Sequence, residues 1–291
     1  MTSRNLMIVT SKSRFRNFVF ISATLISAAC AAMQPPNAGA PESSGQPYPV
    51  VFGEQPQRRE ASLLALNRLA LANVSEDQIQ SYLQPVTATI KGLPASLSTP
   101  LYLPKVGVKP EMNEDEIREA LRRFIDDWRN LIGADPSQLS LVERIDQPNG
   151  VKIARYEQRP FRYPLLGDYG KLEIQFTGDR RLLNVSSSCI PEAERLQAAL
   201  AAITPRVKPE EASQPLLKGV LTYTDPTGKQ QTYSLSANNK VESGELVTYA
   251  RASRDRPDTV EFLIAWETSI SNAPFKNAYV DAVTNEIIAI R

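Results

Sequence analysis

Apolar positions along the chain recur in two rhythms. Ile117, Ala120, Leu121, Phe124, Ile125, Trp128 and Leu131 fall at three-and-four spacing, which predicts a helix burying a single face. Asn113 is placed to cap it, and Glu114, Asp115 and Glu116 put negative charge on its first turn, where the helix dipole favours it. Gly133 supplies the stop. The charges Arg122, Arg123, Asp126 and Asp127 read as the solvated side. Strand-like runs follow over Leu139–Ile145, Val151–Gln158, Lys171–Phe176 and Leu182–Ser187, divided by the turn signals Pro148-Asn149-Gly150 and Gly178-Asp179. The result is a helix followed by an antiparallel meander.

The same plan recurs downstream, with a helical start over Lys208–Leu217. Strands are expected near Val220–Thr224, Thr232–Leu235, Leu246–Arg251, Val260–Ser269 and Phe275–Asp281, with a last one at Glu286–Ile290. Upstream, leucines and alanines at helical spacing predict a helix over Glu60–Ala72. The prolines Pro94, Pro100, Pro104 and Pro110 make Thr87–Glu111 an extended strap. The expected fold is therefore α+β: two helix-on-antiparallel-sheet modules, cystatin-like in plan, after an N-terminal helical and extended segment. The expected divisions are an export signal at 1–29, a flexible tether at 30–56, the helix and strap at 57–112, a first module at 113–191, a partly helical linker at 192–207 and a second module at 208–291.

The N-terminus has the order that export machinery reads, with Arg4, Lys12, Arg14 and Arg16 ahead of an apolar stretch from Phe18 to Ala29. That stretch is short for a transmembrane helix of about 20 residues. It runs into Ser27-Ala28-Ala29-Cys30, which resembles a bacterial lipobox, with Ser27 where Leu, Val or Ile is usual. Lipidation of Cys30 would anchor the protein in the periplasm or cell envelope, and ordinary cleavage near Ala29 would secrete it. The Pro-, Gly-, Ser- and Ala-rich stretch from Gln34 to Pro49 suits a tether and favours the lipid.

Composition narrows the chemistry. Lys and Arg total 33 against 32 Asp and Glu, so no basic field exists to collect nucleic acid. The sequence has no histidine, the residue most used as general base and the commonest zinc ligand. Ser186-Ser187-Ser188 thus lacks an activating base, and Glu210 and Glu211 sit in no calcium-loop motif. No catalytic residue, metal or cofactor is expected. The two cysteines are Cys30 and Cys189; without Cys30 the second has no partner and is expected to be a buried small hydrophobe.

Two segments carry a family resemblance. Asp135–Pro191 brings a strand with Tyr156 and Gln158, the loop Tyr163-Pro164-Leu165-Leu166-Gly167, a strand, a turn and Val185. This resembles the propeptide domain (FTP) that precedes thermolysin-like and fungalysin-like metallopeptidases, with Asp168-Tyr169-Gly170 added after the loop. Leu263-Ile264-Ala265-Trp266-Glu267-Thr268-Ser269, followed by Ala278-Tyr279-Val280-Asp281-Ala282-Val283-Thr284-Asn285-Glu286-Ile287-Ile288, resembles the PepSY pattern at the end of such propeptides. Asn285 stands there where glycine is usual, and Asn also tolerates the left-handed turn conformation.

In that family the modules assist folding of an attached protease and inhibit it. The last PepSY-like strand is followed directly by Arg291, which predicts a free-standing propeptide-like protein without a peptidase domain. The resemblance implies an exported inhibitor, chaperone or docking partner of a metallopeptidase, bound to the membrane through Cys30 if that residue is lipidated. The alternative is a cell-envelope scaffold binding peptide or polysaccharide with no protease link. Trp128, Trp266, Tyr279 and Asp281 are expected to be structural: Trp266 anchors a core, and Asp281 bonds backbone groups in the turn towards Glu286.

Overall fold

The computed structural model of the chain describes residues 47–69, 76–95, 97, 99–109, 111–159, 161–253 and 255–291. The expected export signal, Cys30 and the tether as far as residue 46 lie outside them. Strand β1 (Val50–Gly53) comes first, with Val50 and Phe52 buried, so the end of the stretch read as tether belongs to a core. Helix α1 (Pro56–Asn67) starts ahead of the expected Glu60 because Pro56 occupies its first turn, where a missing N–H costs nothing. A short helix α2 (Glu76–Ser81) leads into the strap.

Helix α3 (Glu114–Asp127) forms as its pattern requires. Asn113 Oδ1 accepts from Glu116 N at 3.0 Å, and Asn113 N donates to Glu116 Oε2 at 2.8 Å. After Trp128 the chain continues as α4 (Arg129–Ile132) and ends at Gly133, whose φ of 85° is left-handed. Strands β2 (Leu139–Asp146), β3 (Val151–Gln158), β5 (Lys171–Thr177) and β6 (Leu182–Ser187) then make an antiparallel sheet in that order, while β4 (Leu165–Gly167), between β3 and β5 in sequence, leaves it. Ile117, Leu121, Phe124 and Ile125 of α3 bury against Ala154, Leu172, Ile174, Phe176 and Val185. Those four side chains contribute on the order of 8 kcal/mol of hydrophobic free energy. The strap seals the edge of β6: Ser187 N donates to Ile90 O at 2.7 Å, Leu182 N to Leu101 O at 2.8 Å and Leu103 N to Arg180 O at 2.9 Å.

The segment read as linker carries α5 (Ala193–Ala201), whose Leu196 and Leu200 are buried with Val50, Phe52, Phe262 and Ile264. The helix expected over Lys208–Leu217 is two short ones, α6 (Pro209–Ala212) and α7 (Gln214–Lys218). Pro215 at the start of α7 has no N–H to continue the ladder, which divides them. A hairpin of β7 (Val220–Thr224) and β8 (Gln230–Ser234) follows.

The long β9 (Lys240–Ala252) and β10 (Thr259–Ser271) pair with β11 (Asn277–Asp281) and β12 (Ile287–Ile290) in a sheet ordered β12-β11-β10-β9-β4, with β1 also on β10. All of its pairings are antiparallel except β4 on β9, which is parallel. Leu216 and Ala212 pack against Ile270, Phe275, Ala278 and Val280. The described residues all lie in one compact unit of mixed α+β structure.

Candidate binding surface

The residues expected to be structural lie in three places. Trp128 caps α3 and packs on Phe124, ring centroids 4.7 Å apart. Trp266 bridges two clusters of the C-terminal sheet, its indole Nε1 donating to Val207 O at 2.8 Å. Tyr279 packs on Tyr249 with tilted rings, centroids 4.8 Å apart, and donates to Glu267 Oε1 at 3.0 Å. Burial, helped by that carboxylate, pushes its phenol up to about 12.

Asp281, 3% exposed, accepts from Val283 N at 2.7 Å and Thr284 N at 3.1 Å. Its third donor was not foreseen: Tyr48 OH, at 2.8 Å, which also accepts from Ile264 N at 3.2 Å. Burial raises the Asp281 carboxyl above its ordinary value, against the pull of those hydrogen bonds. Burial and the facing carboxylate raise Tyr48 as well. Tyr48 had no local signal, because its partner lies 233 residues away.

The remaining chemistry-bearing residues hold structure together. Cys189 is buried and has no disulfide partner among the described residues, and burial pushes its thiol up to about 12, a poor nucleophile. Ser187 Oγ donates to Ile132 O at 2.6 Å, and Ser188 Oγ accepts from Lys171 N at 3.3 Å. Glu211 Oε2 accepts from Lys208 N at 3.1 Å, a helix-capping bond. Among the described residues no three metal-capable side chains converge, and no helix is long and apolar enough to cross a membrane.

Several openings are large enough to receive another group, among them one of about 450 Å³ beside Met112, Ile117 and Phe176 and one of about 340 Å³ beside Pro94, Leu97 and Leu101 of the strap; two more involve charged helix ends and the edge of a sheet. A cleft of about 350 Å³ between α1, α4 and α5 is lined by Arg58, Arg129, Asp135, Gln138, Glu192 and Glu194, two arginines among three carboxylates. Arg58 is held there as a brace, its Nη2 donating to Asn130 O at 2.6 Å at the end of α4.

The second is a groove of about 380 Å³ between α3 and β2, floored by Ile125, Leu139, Leu141 and Tyr156 and rimmed by Arg118 and Arg122. Burial in this floor pushes the Tyr156 phenol up to about 12. Strand β2 forms the outer edge of its sheet, and Leu141 and Val142 are 37% and 43% exposed on it. A bulge interrupts its pairing with β3 between Leu141 and Glu143.

The loop Tyr163–Gly167 is placed differently from an exposed docking loop. Its Leu165, Leu166 and Gly167 are β4, in register with Thr248, Tyr249 and Ala250 of β9. Gly167 has φ 107°, and a Cβ there would stand 2.1 Å from Ala250 O, so glycine alone permits this approach. Neither a protein-family model nor a curated protein matches the chain.

Proposed function

We propose that this chain is a non-catalytic exported binding protein that acts as inhibitor, chaperone or docking partner of a secreted or envelope metallopeptidase. The observation that carries the reading is the edge of β2, left without a neighbouring strand among the described residues and bordered by an apolar groove under α3. An open sheet edge offers a partner main-chain hydrogen bonds, and the adjoining groove adds side-chain selectivity. The resemblance of Asp135–Pro191 and of Leu263–Ile288 to protease propeptides supplies the kind of partner.

In this reading the α3-backed sheet and the C-terminal sheet with α6 and α7 are cystatin-like modules, FTP-like over 113–191 and PepSY-like over 208–291. Lipid on Cys30 holds the body at the envelope, and the chain needs no cofactor.

One observation favours the alternative of an envelope scaffold with no protease link. The loop that precedes a strand in the resembling propeptides is committed here to the chain's own sheet as β4.

The test is a pull-down with the full chain on secreted and envelope proteins, read by mass spectrometry and followed by peptidase assays. Recovery of a metallopeptidase whose activity falls when the chain is added supports the first reading. Recovery of envelope components with no peptidase bound or inhibited sinks it in favour of the scaffold.

A further inference from the structure

Resting on that reading of a binding protein, we infer that the groove between α3 and β2 accepts an extended segment of a protein partner, added to the sheet as a strand. Its groove-facing side chains are an apolar one and, two residues on, a carboxylate that meets Arg118.

The backbone sets the register. Arg159 N donates to Gln138 O at 2.9 Å, so Gln138 faces β3, and the two-residue alternation of an antiparallel ladder turns the backbone groups of Leu139 and Leu141 outward. Leu139 N is already used by Pro136 O, which leaves the Leu139 carbonyl and both groups of Leu141 facing the open side. A strand added there lies about 4.8 Å from β2, and its groove-facing side chains come up beside Leu141 and under α3.

Arg118 and Arg122 overhang that position from α3. Arg122 is forked on Glu119 at 2.7 and 2.9 Å. Arg118 has only a 3.7 Å contact with Asp115, both side chains being largely exposed, and is the more available of the two for an incoming carboxylate.

A second copy of the chain fits this edge poorly. Past the bulge, β2 presents the charged Glu143, Arg144 and Asp146, and a bulge with charges is the usual protection against edge-to-edge pairing of identical strands. The docking segment is therefore short and confined to the Leu139–Leu141 half.

The experiment titrates the full chain into a labelled peptide with threonine at every second position and valine and glutamate in turn between them, read by fluorescence anisotropy. A matched peptide carries lysine for glutamate. Saturable binding of the glutamate peptide is expected, roughly tenfold weaker for Leu141→Pro, which removes an outward donor at an edge position where proline is tolerated. Arg118→Glu, a surface change, is expected to reverse the preference between the two peptides, and unchanged unfolding midpoints establish that both variants are folded.

Equal binding of the two peptides, binding of neither, no response to Arg118→Glu, or dimerisation of the chain through this edge overturns the inference. Peptide binding at β2 with no peptidase recovered refutes the proposed partner and leaves the strand site. A peptidase inhibited equally by wild type, Arg118→Glu and Leu141→Pro refutes the strand site and leaves the partner.

Discussion

The two sheets of this protein are closed in different ways. In the four-stranded sheet one long helix covers one face, and the other face carries an exposed charge network in which Arg155 meets Glu143 at 2.6 Å and Glu173 at 2.8 Å. Its β6 edge is sealed by the strap, and its β2 edge has no neighbouring strand among the described residues. The C-terminal sheet has only the short α6 and α7 and α5 for helical cover, yet residues Thr259–Ala265 of β10 are buried without a break. Two distant pieces of chain complete it: β1 beside β10, and β4 beside β9. Local sequence builds the first sheet and leaves it an edge to offer, whereas long-range contacts close the second and join the two.

The join is the sharpest place to break that contrast. Gly167→Ala puts a side chain against Ala250 O at a left-handed φ and is expected to cost about 3 kcal/mol. Trp128 and Trp266 are the only tryptophans and lie one in each region, so Trp266→Phe and Trp128→Phe backgrounds report the regions separately in denaturant. The account expects one shared transition in wild type and two separated ones with Gly167→Ala. A shared transition at an unchanged midpoint would show that β4 does not join the sheets.

A smaller effect is expected beside β10, on the β1 side of the same sheet. Tyr48→Phe takes a donor from buried Asp281 and the acceptor from Ile264 N, a loss of about 1–2 kcal/mol. Introduced together with Gly167→Ala, which separates the transitions, it should shift the Trp266 signal first. Equal early loss at Trp128 would mean that β1 braces both regions alike.

The smallest effect expected is with pH, and it differs in sign between the regions. Around the first sheet, hydrogen bonds from Arg122 and Arg123 hold Glu119 down to about 2, and Arg144 and Arg155 hold Glu114 and Glu173 below their ordinary range. Carboxylates with depressed folded values stabilise above the unfolded value of 4.5 and lose that contribution as pH falls through the folded one. Asp281 runs the other way. Its folded value is raised above 3.8, so its contribution is fully present below that pH and is lost as pH rises through the folded value. Because the first group is exposed, the shift is modest. In the Gly167→Ala background, where the transitions are separate, acidification below pH 4.5 should weaken the Trp128 transition before the Trp266 one; the reverse order would contradict this assignment of charges.

The legible part of the fold is the part specified locally. Helix α3 announces itself through its cap, its spacing and Gly133, and β3 and β6 fall on the residues their alternation marks. Strands β1 and β4 are short, each begins directly after a proline, Pro49 and Pro164, and each pairs with residues far along the chain, so no window of sequence carries them. The long reach of β9 was hidden because its first half, from Lys240 to Glu245, carries Val241 as its one apolar residue among charged and small ones, with Gly244 among them. Of the candidate surface, Ile125 and Leu139 could be read as core from the pattern. That Leu141 and Val142 stay exposed depends on β2 lying at the sheet's edge, which is a property of strand order and not of any one segment.

The measurement that tests the central claim most directly is hydrogen exchange of the full chain, alone and with the metallopeptidase recovered from the pull-down. Slowed exchange confined to Leu139–Leu141 and to α3 is the predicted result, since an added strand takes up the outward amide of Leu141 and covers the groove. Slowed exchange over β9 to β12 with β2 unchanged, or no slowing anywhere, would contradict it.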